Sequence, residues 1–177
     1  MKKIVTLALF LAVVAGLSGA ALSYVHELTD PIIQEAAIAS EKDNLVKIYT
    51  SGEEFKSIDT GLSDYTALAG CYEASSGGTV KGYVYKCSVT GYGGSSTPIV
   101  YLIALDKDGT YKGYEVIDCS GETSGFGSQV ADQPFKESIV GKNIGDSIDT
   151  ISGATISSSA VVDGIQQATE HYNANFK

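Results

Sequence analysis

The pattern of hydrophobic and polar positions divides the chain into an apolar beginning, a middle of alternating residues and a helical end. Residues 4–25 are uncharged and largely apolar, and a run of that length is enough for one membrane-spanning helix. Lys2 and Lys3 precede the run and acidic residues follow it, which predicts a cytoplasmic N-terminus and an extracytoplasmic remainder. A cleaved signal peptide is the alternative, because Ser18-Gly19-Ala20 resembles a small-residue cleavage site. The continuation of the run to Val25 favours the anchor.

A second helix is predicted immediately after the apolar run, over residues 26–50. Thr29 or Asp30 is a suitable N-cap and Pro31 suits the first helical position. Apolar residues then recur at helical spacing as far as Tyr49. The predicted organisation is therefore an anchor over residues 1–25, a juxtamembrane helix over 26–50 and a folded domain over 51–177.

Strand patterns fill the first part of that domain. Alternation from residue 82 to 89 predicts a half-buried strand, and residues 76–78 predict a turn before it. Residues 98–105 and 111–117 flank an Asp-Gly hairpin signal at 106–109. With a helix on either side, these strands predict a single α+β domain that contains an antiparallel sheet.

The end of the chain combines a turn of small residues with an amphipathic helix. Ser152, Gly153 and Ala154 are too small to shield the hydroxyl of Thr155, and the serines at 157–159 are good N-cap residues. A helix N-terminus attracts anions such as phosphate through its free N–H groups and dipole. The pattern therefore predicts a threonine hydroxyl beside an anion site. The apolar face of the helix comprises Ala160, Val161, Ile165, Ala168 and Tyr172.

Charge and composition exclude several classes of function. The net charge is −9, with twelve lysines and no arginine, which argues against nucleic-acid binding. Cys71, Cys87 and Cys119 lack the close spacing of a zinc or iron–sulfur site. A disulfide between two of them stays open, although buried free thiols are favoured. No hydrolase-like arrangement of nucleophile and histidine is recognisable.

Residues 149–155, Asp-x-x-Ser-Gly-Ala-Thr, resemble the flavinylation motif of the extracytoplasmic FMN-binding domain family. This family includes the G subunit of the Rnf electron transport complex and the C subunit of the sodium-pumping NADH:quinone oxidoreductase. The resemblance implies FMN bound through a phosphoester to Thr155, with Ser152, Gly153 and Ala154 around it. It also implies that a flavin transferase installs the cofactor from FAD and recognises Asp149.

Residues 122–127 are similar to a second family segment, Glu-Thr-Pro-Gly-Leu-Gly, with serine in place of proline and phenylalanine in place of leucine. The similarity implies flavin contacts at Glu122, Thr123 and Gly125. A third glycine-rich family segment is similar to residues 91–94. Lys142 is a further candidate partner for the FMN phosphate.

The resemblance implies a redox subunit without catalytic activity of its own. The length of the chain and its single short anchor resemble those of the Rnf G subunit most. We therefore expect electron transfer through FMN within an ion-translocating ferredoxin:NAD oxidoreductase. Expected partners are the other subunits of that complex, the flavin transferase and membrane lipid. The alternatives are the quinone-reductase C subunit, another extracytoplasmic flavoprotein, or a non-redox anchored binding protein.

Overall fold

The computed structural model describes the backbone of residues 2–177; residue 1 and the side chains of residues 2, 5, 8, 26–28, 30–38 and 40 lie outside the described part. Helix α1 is followed by the strands of one sheet and then by two further helices. Short 3₁₀ turns at Leu62–Asp64 and Gly127–Ala131 connect them. The elements are α1 (Lys2–Ile48), β1 (Glu54–Ile58), β2 (Leu68–Ser76), β3 (Thr79–Val89), β4 (Ile99–Asp106), β5 (Tyr111–Asp118), α2 (Gln133–Ile139) and α3 (Thr155–Asn175).

Helix α1 continues through the position where a second helix was predicted to begin. The predicted restart at residues 29–31 is wrong, and the Thr29 hydroxyl bonds the Val25 carbonyl at 2.9 Å as a residue inside a helix does. The predicted end near Tyr49 is confirmed, since α1 ends at Ile48. Among the residues that the structure describes, no helix is long and apolar enough to cross a bilayer, so the anchor stays a prediction.

Contacts divide the chain into one unit of residues 1–40 and another of residues 41–177. The second unit contains the sheet, in the order β1-β2-β3-β4-β5 with every neighbouring pair antiparallel. The antiparallel α+β architecture is thereby confirmed. Tight turns fix the register of its hairpins: Gly77 and Gly78 both have positive φ between β2 and β3, and Gly109 has positive φ between β4 and β5.

Both faces of the sheet are buried at its central strands, β3 and β4. On one face, alternate residues of β3 and β4 such as Tyr85 and Tyr101 join the core cluster with Ile165 of α3. On the other face lie Val84, Leu102 and Ala104, with the last turns of α1, whose Leu45 is fully buried. Helix residues 41–48 therefore belong to the domain, and β4 is apolar at successive positions because neither of its faces meets water.

All three cysteines are free, and Cys71 and Cys87 are buried as favoured from the sequence. Burial raises the pKa of both thiols from 9.0 to about 12. A thiol in the unfolded chain ionises near pH 9, whereas the buried thiol stays neutral until about pH 12. The stability that each buried neutral thiol contributes is therefore complete below pH 9 and is lost as the pH rises towards 12, because ionisation then favours the unfolded chain.

We therefore expect the free energy of unfolding to fall by about 1.4 kcal/mol per pH unit for each buried thiol in this window. Urea unfolding of the domain at a series of pH values measures the slope. The variant Cys87→Ala should be less stable at neutral pH but should lose stability less steeply above pH 9. An unchanged slope in this variant would contradict the assignment.

Candidate functional site

The turn before α3 presents Thr155 at the surface. Gly153 has φ +85°, and the Ala154 amide donates to the Ile151 carbonyl at 3.0 Å, which closes the turn. Thr155 is the first residue of the helix and is exposed, as the sequence predicted. Its hydroxyl makes no hydrogen bond to the residues that the structure describes.

The serines of the first turn do not cap the helix, contrary to prediction. The N-cap position is Ala154, and no side chain caps the helix there. Ser157 and Ser158 are instead buried, with hydroxyls bonded inside the domain. The first amides of α3 are therefore left without an intrahelical or side-chain acceptor, which is the arrangement that attracts an anion.

A cavity of about 430 Å³ opens beside Thr155. The turn before α3 forms one wall, and the two glycine-containing loops after β3 and β5 form the others. Four of the predicted site residues line it, and five further lining residues were not predicted as such. The lining residues are Tyr92, Thr123, Phe126, Gly127, Gly153, Ala154, Thr155, Ile156 and Ser157.

Large apolar side chains surround the mouth of this cavity. Tyr92, Phe126 and Ile156 are 67%, 57% and 60% exposed, and all three line the cavity. Exposed apolar residues grouped around a cavity indicate a ligand surface. The sequence analysis proposed none of the three as a site residue. For Tyr92 and Phe126 the available signal was their position between two glycines, which leave a ring uncovered; Ile156 carries no such signal.

Glu122 lies beneath the cavity and connects the loop after β3 to the first turn of α3 through hydrogen bonds. The carboxylate is only 8% exposed; its Oε1 accepts a hydrogen bond from the Gly93 amide at 3.0 Å, and its Oε2 accepts one from the Ser157 hydroxyl. A Cβ atom at Gly91 would lie 2.3 Å from Oε1, and one at Gly127 would lie 2.2 Å from Oε2. These two glycines are therefore needed so that the loops can close around the buried carboxylate.

Replacing Glu122 with Ala should lower the free energy of unfolding by about 3 kcal/mol, because it leaves the Gly93 amide and the Ser157 hydroxyl unpaired beside a new cavity. Glu122→Gln should lose only about 1 kcal/mol, since the amide oxygen accepts from Gly93 and its NH₂ donates to a rotated Ser157 hydroxyl. Urea unfolding compares the two. Equal losses for both variants would contradict this bonding scheme.

Besides Glu122, four predicted residues lie outside the cavity lining. Asp149 lines a separate groove of about 250 Å³ together with residues of α2. Ser152 is exposed in the turn, and Gly125 forms part of a loop in which its amide bonds the Ser128 hydroxyl at 3.0 Å. The Lys142 ammonium donates to the Ser147 carbonyl at 2.5 Å. The structure therefore gathers Thr123, Gly153, Ala154 and Thr155 around the cavity and Glu122 beneath it.

Comparison with known proteins shows what this region is similar to. Residues 91–170 match the FMN-binding domain family. The chain is 24% identical over 171 residues to the G subunit of a proton-translocating ferredoxin:NAD(+) oxidoreductase complex from Clostridium ljungdahlii, covering 90% of this chain and 86% of that one. It is 28% identical over 187 residues to the G subunit of an ion-translocating oxidoreductase complex from Methanosarcina acetivorans, covering 98% and 96%.

A third relative is the G subunit of a Na(+)-translocating ferredoxin:NAD(+) oxidoreductase complex from Acetobacterium woodii, 25% identical over 195 residues with coverage of 97% and 92%. Among solved structures, NqrC from Shewanella oneidensis aligns over 70% of this chain and 66% of its own, at 19% identity and a TM-score of 0.44. The resemblance to the FMN-binding domain family and to the G subunits of such complexes is thereby confirmed.

Proposed function

We propose that this chain is the FMN-carrying electron-transfer subunit of a membrane-bound, ion-translocating ferredoxin:NAD oxidoreductase of the Rnf type. The observation that supports it most is an exposed hydroxyl, Thr155, at the edge of an aromatic-rimmed cavity inside the segment that matches the FMN-binding domain family. Similarity to G subunits over 90% or more of the chain supports the kind of complex.

The residues around the cavity suit a flavin. A volume of about 430 Å³ lies within the usual range for small-molecule sites. Tyr92, Phe126 and Ile156 offer apolar surface to a flat ring, and Gly127 allows close approach of the backbone. When bound, FMN supplies one- and two-electron chemistry that the amino acids of this chain lack. The protein holds the ring, limits its contact with water and leaves one side open towards a partner.

The phosphate of FMN fits the beginning of α3. A phosphodiester carries a single negative charge. The free amides of the first turn can donate hydrogen bonds to it, and the positive end of the helix dipole stabilises its charge. The chain has no arginine to form a bidentate contact, and Lys142 is bonded elsewhere. The helix terminus is therefore the main partner that this chain provides for the phosphate.

A covalent bond keeps the cofactor from diffusing away outside the cell membrane. In the proposed attachment, the Thr155 hydroxyl oxygen attacks the FMN phosphorus of FAD, the pyrophosphate linkage breaks, and AMP leaves while the hydroxyl proton is lost. A flavin transferase provides this step and recognises the turn that begins at Asp149. We also propose a flavin contact for Thr123, which is supported by its place in the lining of the cavity.

We place the domain on the extracytoplasmic side, held by the apolar run of residues 4–25 with the N-terminus inside. Electrons then reach the flavin from redox centres of neighbouring membrane subunits and leave towards another flavin. In this proposal ferredoxin and NAD bind other subunits, and the chain itself serves as a relay between them.

The direct test is expression of the full chain with and without a flavin transferase. With the transferase, we expect one flavin per polypeptide that survives denaturation and gives in-gel fluorescence. Without it, the same chain should be colourless. A dark band in the presence of an active transferase and FAD would overturn the proposal.

Purification from native membranes should recover the chain with iron–sulfur and NAD-binding subunits.

A further inference from the structure

Ser158 occupies an unusual position behind the attachment turn. Its side chain is completely buried one turn into α3, and its hydroxyl donates to the Ala154 carbonyl at 2.9 Å. Such a bond to the carbonyl four residues earlier is common for serine in helices and has no special consequence alone. The Ser158 hydroxyl, however, also accepts a hydrogen bond from the Ile151 amide at 3.0 Å, which lies outside the helix.

These two bonds tie the beginning of the turn to its end. The Ala154 amide donates to the Ile151 carbonyl at 3.0 Å, so Ile151 is held through both its amide and its carbonyl. The Ala154 carbonyl also accepts from the Ser158 amide at 2.9 Å. Gly153 completes the loop with its positive φ. The backbone on the N-terminal side of Thr155 is therefore closed around a single buried hydroxyl.

The other side of the same helical turn is fixed independently. Ser157 donates to the buried carboxylate of Glu122, which also holds the Gly93 amide. The backbone at Thr155 thus lies between two anchored segments, while the Thr155 side chain itself is exposed at the cavity. Only rotation of this side chain is left to orient its hydroxyl.

We propose that Ser158 is a positioning residue that preforms the attachment turn, so that the folded domain offers the Thr155 hydroxyl to the flavin transferase in one orientation. The inference rests on the proposed function. It adds that the substrate of the transferase is a rigid turn on the folded domain, in which a residue beyond the Asp149–Thr155 segment decides the rate of modification. Misplacement of a reacting group by about 1 Å costs up to about 100-fold in rate.

The test compares Ser158→Ala with two matched variants in the full chain. Ser159→Ala removes a neighbouring hydroxyl that makes no hydrogen bond to the described residues. Val161→Ala destabilises α3 by deleting buried methyl groups but leaves the turn intact. With purified transferase and FAD, well below every melting temperature, Ser158→Ala should accept flavin at least about tenfold more slowly than the wild type. Both matched variants should keep the wild-type rate.

Hydrogen exchange of the unmodified wild-type chain gives a readout without flavin. The Ile151 amide should exchange at least about tenfold more slowly than those of Ser152 and Gly153, which have no acceptor among the described residues. In Ser158→Ala this difference should disappear.

The outcomes separate the inference from the proposed function. A wild-type chain that accepts no flavin overturns both. A wild-type chain that is modified, with Ser158→Ala modified equally fast or Val161→Ala equally slow, overturns the positioning role alone. An unprotected Ile151 amide in the wild type also overturns it, whether or not the Ser158 variant folds.

Discussion

Replacing Thr155 with Ala is expected to abolish covalently bound flavin while the domain keeps its fold. The side chain is exposed, makes no hydrogen bond to the described residues and lies in the first turn of α3. Its removal therefore deletes the proposed nucleophile and little else, and alanine favours the helix by a few tenths of a kcal/mol over threonine. In-gel flavin fluorescence and the mass of the peptide containing residue 155 measure attachment, and thermal unfolding measures the fold.

Two variants make this expectation specific. Ser152→Ala changes an exposed hydroxyl in the same turn and should still carry flavin, so a loss there would point to recognition rather than to attachment. Thr155→Ser keeps a hydroxyl at the same position and reports whether the transferase accepts a primary alcohol. Covalent flavin retained on Thr155→Ala would show that another residue is the attachment point and would contradict the assignment.

The elements that the sequence predicts well are those with short-range signals. Strands β3, β4 and β5 alternate or are continuously apolar, and the hairpin at Gly109 uses a turn residue that requires positive φ. Strand β2 was missed because its buried positions do not alternate: Cys71 and Tyr72 are adjacent in the chain and both are buried. The other residues of Leu68–Ser76 are mostly small, so no period of two marks the strand in the sequence.

In the candidate site, too, the residues found from the sequence are those with a short-range signal. Gly153, Ala154 and Thr155 are neighbours in sequence and stay neighbours in the cavity wall, so a local motif was enough to find them. Glu122 and Lys142 depend on tertiary placement: the first is buried under the site and the second donates to Ser147. Residue spacing carries no information about which side of a loop will face inward. The role of Lys142 as a partner of the phosphate therefore stays a prediction.

The serines at 157–159 were misassigned for a related reason. Serine is common at N-caps because its hydroxyl accepts from the amides of the first turn. In this helix, Ser157 and Ser158 point into the domain and bond Glu122, Ile151 and Ala154. Local preference favoured a cap, but burial of the first turn against two loops gave these hydroxyls other partners.

Gly93→Ala is expected to have a large effect on the assembly of the site. A Cβ atom at this position would lie 2.3 Å from the Gly121 carbonyl oxygen and 2.7 Å from its carbon. Both are backbone atoms, so no side-chain rotation relieves the clash, and the two loops have to separate. Separation also breaks the bond from the Gly93 amide to Glu122. We expect a loss of about 3 kcal/mol in the free energy of unfolding, with a melting temperature lower by roughly 10 °C.

The matched control is Gly70→Ala, a glycine of β2 whose nearest atom beyond its chain neighbours would be the Tyr72 hydroxyl oxygen at 3.5 Å, an ordinary contact. This variant should stay within about 1 kcal/mol of the wild type, since alanine removes backbone freedom from the unfolded chain without a clash. Flavin attachment distinguishes the two further: it should be slowed strongly in Gly93→Ala, because Glu122 holds Ser157 two residues from Thr155, and unchanged in Gly70→Ala. Equal stability of the two variants would mean that the loops are not packed backbone to backbone, and the cavity beside Thr155 would then lack the rigid wall that the proposed flavin site requires.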